Sequence, residues 1–147
     1  MDEFLENIQA QMADVEETLR VLNAALAKPV KGQVEWMGIA GFISNVYMGV
    51  ENILNNALRA KGTKVVLASA SSHRDLLNLA VRRGILSNDL RKALDGYRSL
   101  RHVVHHGYGF RLEPHRLEPL ALALPDVWGK FRLQMENVFP ELRASGT

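Results

Sequence analysis

The sequence predicts an all-α, up-and-down helical bundle of four long helices and one short one, and three observations support that. Apolar residues recur at spacings of three and four along most of the chain. No stretch of any length shows the period of two that strands require, and there is no internal repeat or low-complexity tract. With 147 residues, 47% of them hydrophobic, the chain is long enough to close one core, so residues 1–147 read as a single domain.

The first helix is expected over residues 2–28, where Leu5, Ile8, Met12, Val15, Leu19, Leu22 and Leu26 form one stripe. Lys28 precedes Pro29, and proline pushes its predecessor out of the α region, which ends the helix. After Gly32 a second helix runs from Val34 to about Arg59, and its apolar residues go almost all the way round, as in a helix buried on several sides. Gly38 and Gly41 in its interior each cost about 1 kcal/mol, and close approach of a neighbouring helix is the expected compensation. Tyr47 and Glu51, one turn apart on this apolar helix, read as a buried hydrogen-bonded pair or, alternatively, as an anchor for an arginine further along the chain.

Residues 61–71 read as a loop. Ser72, with Asp75 three positions later, caps a short helix that ends before Gly84. Ser87 caps the next, with Asp89 in the first turn where it complements the helix dipole. That helix buries Leu90, Leu94, Tyr97, Leu100 and Val104, and Gly107 is placed to end it. The last helix starts at Pro114 and carries Leu117, Leu120, Leu124, Trp128, Phe131, Met135, Val138 and Leu142. Pro119 and Pro125 are expected to kink or split it, and Ala144 to Thr147 to fray.

Composition narrows the function. There is no cysteine, which rules out a disulfide scaffold or a thiolate metal site and fits a reducing cytoplasm. The acidic start, Met-Asp-Glu-Phe-Leu-Glu, is unlike a secretory signal, and no apolar run approaches the ~20 residues of a membrane span. The net charge of +2 is too small to argue for nucleic acid by itself. Its distribution says more. The first 28 residues hold six acids against two bases, whereas residues 91–116 hold six bases against two acids, plus four histidines.

The basic segment centres on Arg98-Ser99-Leu100-Arg101-His102-Val103-Val104-His105-His106-Gly107-Tyr108. Arginine grips phosphate through a planar fork, and imidazole exchanges protons near neutral pH. On a regular helix Arg98 and His102 share a face, as do Arg101 and His105. Arg101 and His106 are five apart, roughly 140° round the axis. Two arrangements follow: the helix ends at His106–Gly107 and lets His106 swing, or Arg98 and His105 are the working pair. Either would suit metal-free RNA cleavage, with a histidine taking the 2′-hydroxyl proton and an arginine stabilising charge at phosphorus. A structural or binding role, or zinc on His102 and His106 at the i, i+4 spacing, are the competing readings. The zinc reading is weakened by the adjacent arginines. No Gly-x-Ser-x-Gly elbow and no glycine-rich phosphate loop is present.

Residues 101–108 spell Arg-x4-His-x-Tyr, which resembles the signature of the HEPN superfamily and its HepT-like ribonuclease-toxin branch. Trp36-Met37-Gly38-Ile39-Ala40-Gly41-Phe42, Tyr47-x3-Glu51, Ser72-His73-Arg74-Asp75-Leu76-Leu77, Tyr97-Arg98-x2-Arg101-His102 and Leu124-Pro125-x2-Trp128 resemble further landmarks of one subgroup. The resemblance implies a homodimeric HEPN-like bundle and a cofactor-free, metal-independent endoribonuclease toxin that cuts tRNA or mRNA. It implies Arg101 and His106 as the catalytic pair; His105 beside His106 and the second grip offered by Arg98 are less typical of the family, and Arg98, His102 and His105 are expected as supporting, RNA-binding residues. The implied partner is a minimal nucleotidyltransferase antitoxin that AMPylates Tyr108. The alternative within the same resemblance is a non-catalytic HEPN module that binds nucleotide, RNA or a partner protein.

Overall fold

The computed structural model describes residues 2–64, 72–105 and 113–144, and the architecture is an all-α bundle. Its elements are α1 (Glu3–Leu26), α2 (Gln33–Ala60), α3 (Ser72–Arg82), α4 (Asn88–His105), α5 (Pro114–Val138) and a closing turn, α6 (Glu141–Ala144). Among the described residues there is no strand, and no helix is long and apolar enough to cross a membrane.

Local chemistry sets most of the helix ends. The Asp2 carboxylate accepts from the Phe4 amide at 2.7 Å and starts α1. Glu35 reaches back to the Gly32 amide at 3.0 Å and starts α2. Ser87 caps α4 as its sequence position predicts, its Oγ accepting from the Leu90 amide at 3.2 Å. Gly62 and Gly84 take positive φ of 79° and 73°, the left-handed turn that terminates α2 and α3 at little cost for glycine.

Cross-helix pairs fix the directions. Asn56 donates to Gln11 at 3.1 Å, so α2 returns antiparallel to α1. Tyr97 Oη donates to the Leu120 carbonyl at 2.7 Å, and Gln134 Nε2 donates to Ser87 Oγ at 2.8 Å, so α5 runs antiparallel to α4. Glu16 of α1 accepts from Trp128 Nε1 at 3.1 Å and from Arg132, tying α1 to α5. That core is continuous, from Ile8 and Leu22 through Ile43, Ile53 and Leu54 to Leu94, Phe131 and Met135.

Three expectations need correction. Gly38 and Gly41 are not at a helix contact: a Cβ built on either meets nothing within 4 Å among the described residues. The close approach is at Gly49, where a Cβ would collide with Val15 Cγ2 of α1. Of the two outcomes expected at Pro119 and Pro125, splitting does not occur, since α5 continues through both. Each removes one backbone hydrogen bond, but Leu117, Ala121, Leu124, Trp128 and Phe131 still bury one unbroken stripe, and packing outweighs the local penalty. The break falls instead at Phe139–Pro140, where Leu142 begins packing from a separate turn and Ala144, expected to fray, is the last residue of α6.

Candidate functional site

The last two turns of α4 lie against the middle of α2. Arg101 Nε stands 3.7 Å from Glu51 Oε1 and His105 Nε2 stands 3.3 Å from Met48 Sδ, so α4 runs antiparallel to α2 and ends at the level of Met48. The anchoring alternative for Glu51 is therefore the geometry found. The carboxylate side chain is 7% exposed and that of Arg101 is 21% exposed, yet Arg101 Nε itself is fully buried and meets no hydrogen-bond partner. The inner edge of the guanidinium thus faces the core, and the exposure of the side chain falls on its other atoms.

Tyr47 lies beside this pair, buried to 1%. Its phenol is pushed well above the usual range, first by burial and then by the neighbouring Glu51 carboxylate, while Arg98 and Arg101 pull weakly the other way. It stays a neutral hydroxyl at any ordinary pH. That hydroxyl meets no partner at good hydrogen-bond geometry among the described residues. Tyr47, Glu51, Arg98 and Arg101 therefore form one cluster, assembled from two helices and mostly shielded from water.

The remaining candidates divide. Arg98 donates from Nε to Asp95 Oδ1 at 2.8 Å, a pair within α4 that occupies one edge of its guanidinium. The i, i+3 spacing of Asp95 and Arg98 was legible in the sequence, though the expectations above did not use it. His102 is exposed. His105 is exposed too, but its Nε2 is turned towards a thioether, a weak acceptor that leaves Nδ1 for other work. His106, Gly107 and Tyr108 lie outside the described residues, and so does the expectation that Gly107 ends the helix. The zinc reading depends on His106 and falls outside with it.

Two further features sit away from this cluster. The Glu16, Trp128 and Arg132 contact, which sequence reading missed, is a partly exposed polar seam between α1 and α5. A groove of about 480 Å³ lined by Ser87, Leu90, Val127, Lys130, Leu133 and Gln134 opens at the other end of α4. Ser87 and Arg101 are 14 residues apart, about 20 Å along a helix, so this groove and the arginine cluster are separate surfaces.

No curated protein and no solved structure matches the chain. The profile of the HepT-like protein family matches residues 38–142, which contain α2 from Gly38 onward, all of α4 and α5, and every candidate residue named above. A match over that much of the chain, on an all-α bundle whose fourth helix carries Arg98 and Arg101 and is described as far as His105, makes this protein a member of the HepT-like family of the HEPN superfamily.

Proposed function

We propose that the chain is a metal-independent endoribonuclease toxin that cuts tRNA or mRNA through Arg101 and His106. The observation that carries this reading is the seating of Arg101: its Nε edge faces a buried carboxylate while the side chain as a whole keeps 21% exposure, on the helix that ends at His105.

In this reading the His106 imidazole takes the proton of a ribose 2′-hydroxyl. The 2′-oxygen attacks the adjacent phosphorus, the bond from phosphorus to the 5′-oxygen breaks, and that oxygen leaves with a proton. Arg101 stabilises the charge that builds on the phosphoryl oxygens. A placed base contributes about 10²–10⁴-fold, and fixed charge stabilisation often more. The products are 2′,3′-cyclic phosphate and 5′-hydroxyl ends, and DNA is spared because it lacks the 2′-hydroxyl.

The full proposal is a single-domain, cytoplasmic, homodimeric toxin in which two copies of the segment line one RNA cleft, with Arg98, His102 and His105 supporting RNA binding. Its regulator is a minimal nucleotidyltransferase antitoxin that AMPylates Tyr108. Added nucleotide would bring negative charge and bulk to a phosphate-binding cleft.

The test is incubation of purified protein with tRNA in EDTA. Fragments ending in cyclic phosphate are expected, with cutting lost in His106→Ala and kept in His105→Ala. The reverse pattern moves the base to His105, and no fragments from the wild type leaves a non-catalytic HEPN module as the better reading.

A further inference from the structure

We infer that Glu51 is a positioning residue for Arg101, fixing the direction of its guanidinium so that the outer edge meets a phosphate group. The inference deepens the nuclease reading and rests on it.

A carboxylate buried in the middle of α2 needs a reason. Its helix neighbours Val50, Ile53 and Leu54 are all core residues, and Glu51 itself is 5% exposed. Burying a charge costs several kcal/mol unless it is well paired, and an apolar residue of similar volume is often as good or better for stability. Stability alone would therefore favour Leu or Met here.

The pairing geometry supplies the reason. A tight charge-assisted hydrogen bond spans about 2.7–2.9 Å, whereas Arg101 Nε and Glu51 Oε1 are 3.7 Å apart. Glu51 thus faces Arg101 by charge, through the buried Nε edge of its guanidinium. Tyr47 completes the arrangement from below. It is one turn before Glu51 on the same helix, buried and neutral, so it adds no competing charge.

The sharpest test separates rate from binding. Glu51→Gln keeps the size of the side chain and removes its charge. It is expected to lower kcat on RNA by about 10–100-fold, since small misplacements of a catalytic group cost up to ~10²-fold. Its affinity for uncleavable 2′-O-methyl RNA should stay within about threefold of wild type or tighten, because a negative charge near the cleft has gone. Glu51→Asp, which keeps the charge on a shorter arm, should recover part of kcat. In an Arg101→Ala background, Glu51→Gln should cost nothing more. Cutting that is unaffected by Glu51→Gln overturns this inference alone. So does a parallel loss of rate and affinity, which marks a merely structural residue. If Glu51→Gln fails to fold by circular dichroism, Glu51→Asp is read instead, and an unchanged kcat there overturns the inference. A wild type that cuts no RNA overturns the nuclease reading and this inference together.

Discussion

The hydroxyl of Tyr97, on α4, donates to the backbone carbonyl of Leu120, on α5, at 2.7 Å, one turn before Arg101. This bond fixes the lateral seat of the helix that carries the candidate site. It also places a phenol in the core, where burial pushes its pKa up to about 12.

Tyr97→Phe should cost about 1 kcal/mol, the usual net worth of such a bond. Its pH dependence has a definite sign. A folded-state pKa of about 12 against ~10 in the unfolded chain means the unfolded state releases its proton first as pH rises. Stability is therefore complete below ~pH 10 and declines from there towards pH 12. Tyr47, shifted the same way, adds to the decline. Urea midpoints between pH 9 and 11 should fall in the wild type and fall less in Tyr97→Phe. A flat wild-type profile would contradict the burial of both phenols.

Three glycines of α2 should respond with opposite signs. At Gly38 and Gly41 an added methyl meets open space, so alanine should stabilise by about 0.5–1 kcal/mol through helix propensity. At Gly49 the methyl runs into Val15 Cγ2. Valine on a helix has little rotamer freedom to retreat, so Gly49→Ala should destabilise by about 1–3 kcal/mol. Thermal or chemical unfolding of the three variants checks the order. Loss of stability at Gly38 or Gly41 would point to a partner packed on that face.

Glu16→Ala should destabilise by roughly 1–2 kcal/mol, because it strips partners from Trp128 Nε1 and Arg132 at once. The figure is kept low since the Arg132 and Glu16 side chains are 30% and 41% exposed and water screens them. Trp128 fluorescence should change in the folded state. An unaltered spectrum would mean the indole does not depend on this carboxylate.

The two arginines of the segment should separate. Arg101→Lys keeps a charge but loses the planar fork, and should lower the rate of RNA cutting by at least ~10²-fold. Arg98→Ala should cost less than about tenfold, since Asp95 already occupies part of its guanidinium. Initial rates on one RNA substrate decide the order, and an equal loss at both sites would make Arg98 a direct phosphate ligand.

Tyr108→Phe should keep nuclease activity while abolishing the AMP-sized mass gain expected on co-expression with a nucleotidyltransferase. Intact mass of the purified chain reads the second half, and a mass gain in Tyr108→Phe would place the modification elsewhere.

Periodicity is a property of one helix at a time, and the sequence by itself therefore determined the all-α class, the helix spans to within a few residues, the Ser87 cap and the buried stripes. It also determined the chemical inventory of the segment from Arg98 to Tyr108, because residue types need no neighbours to be read. Only the tertiary structure decided that Gly49 rather than Gly38 or Gly41 is pressed against α1, that Glu51 faces Arg101, and that His105 faces Met48. Those outcomes depend on the axial register of one helix against another. A slide of one turn, about 5.4 Å, would leave every stripe intact and change every pair. The same holds for α5, where each proline carries a local penalty and its neighbours' packing on α1 and α4 overrides it.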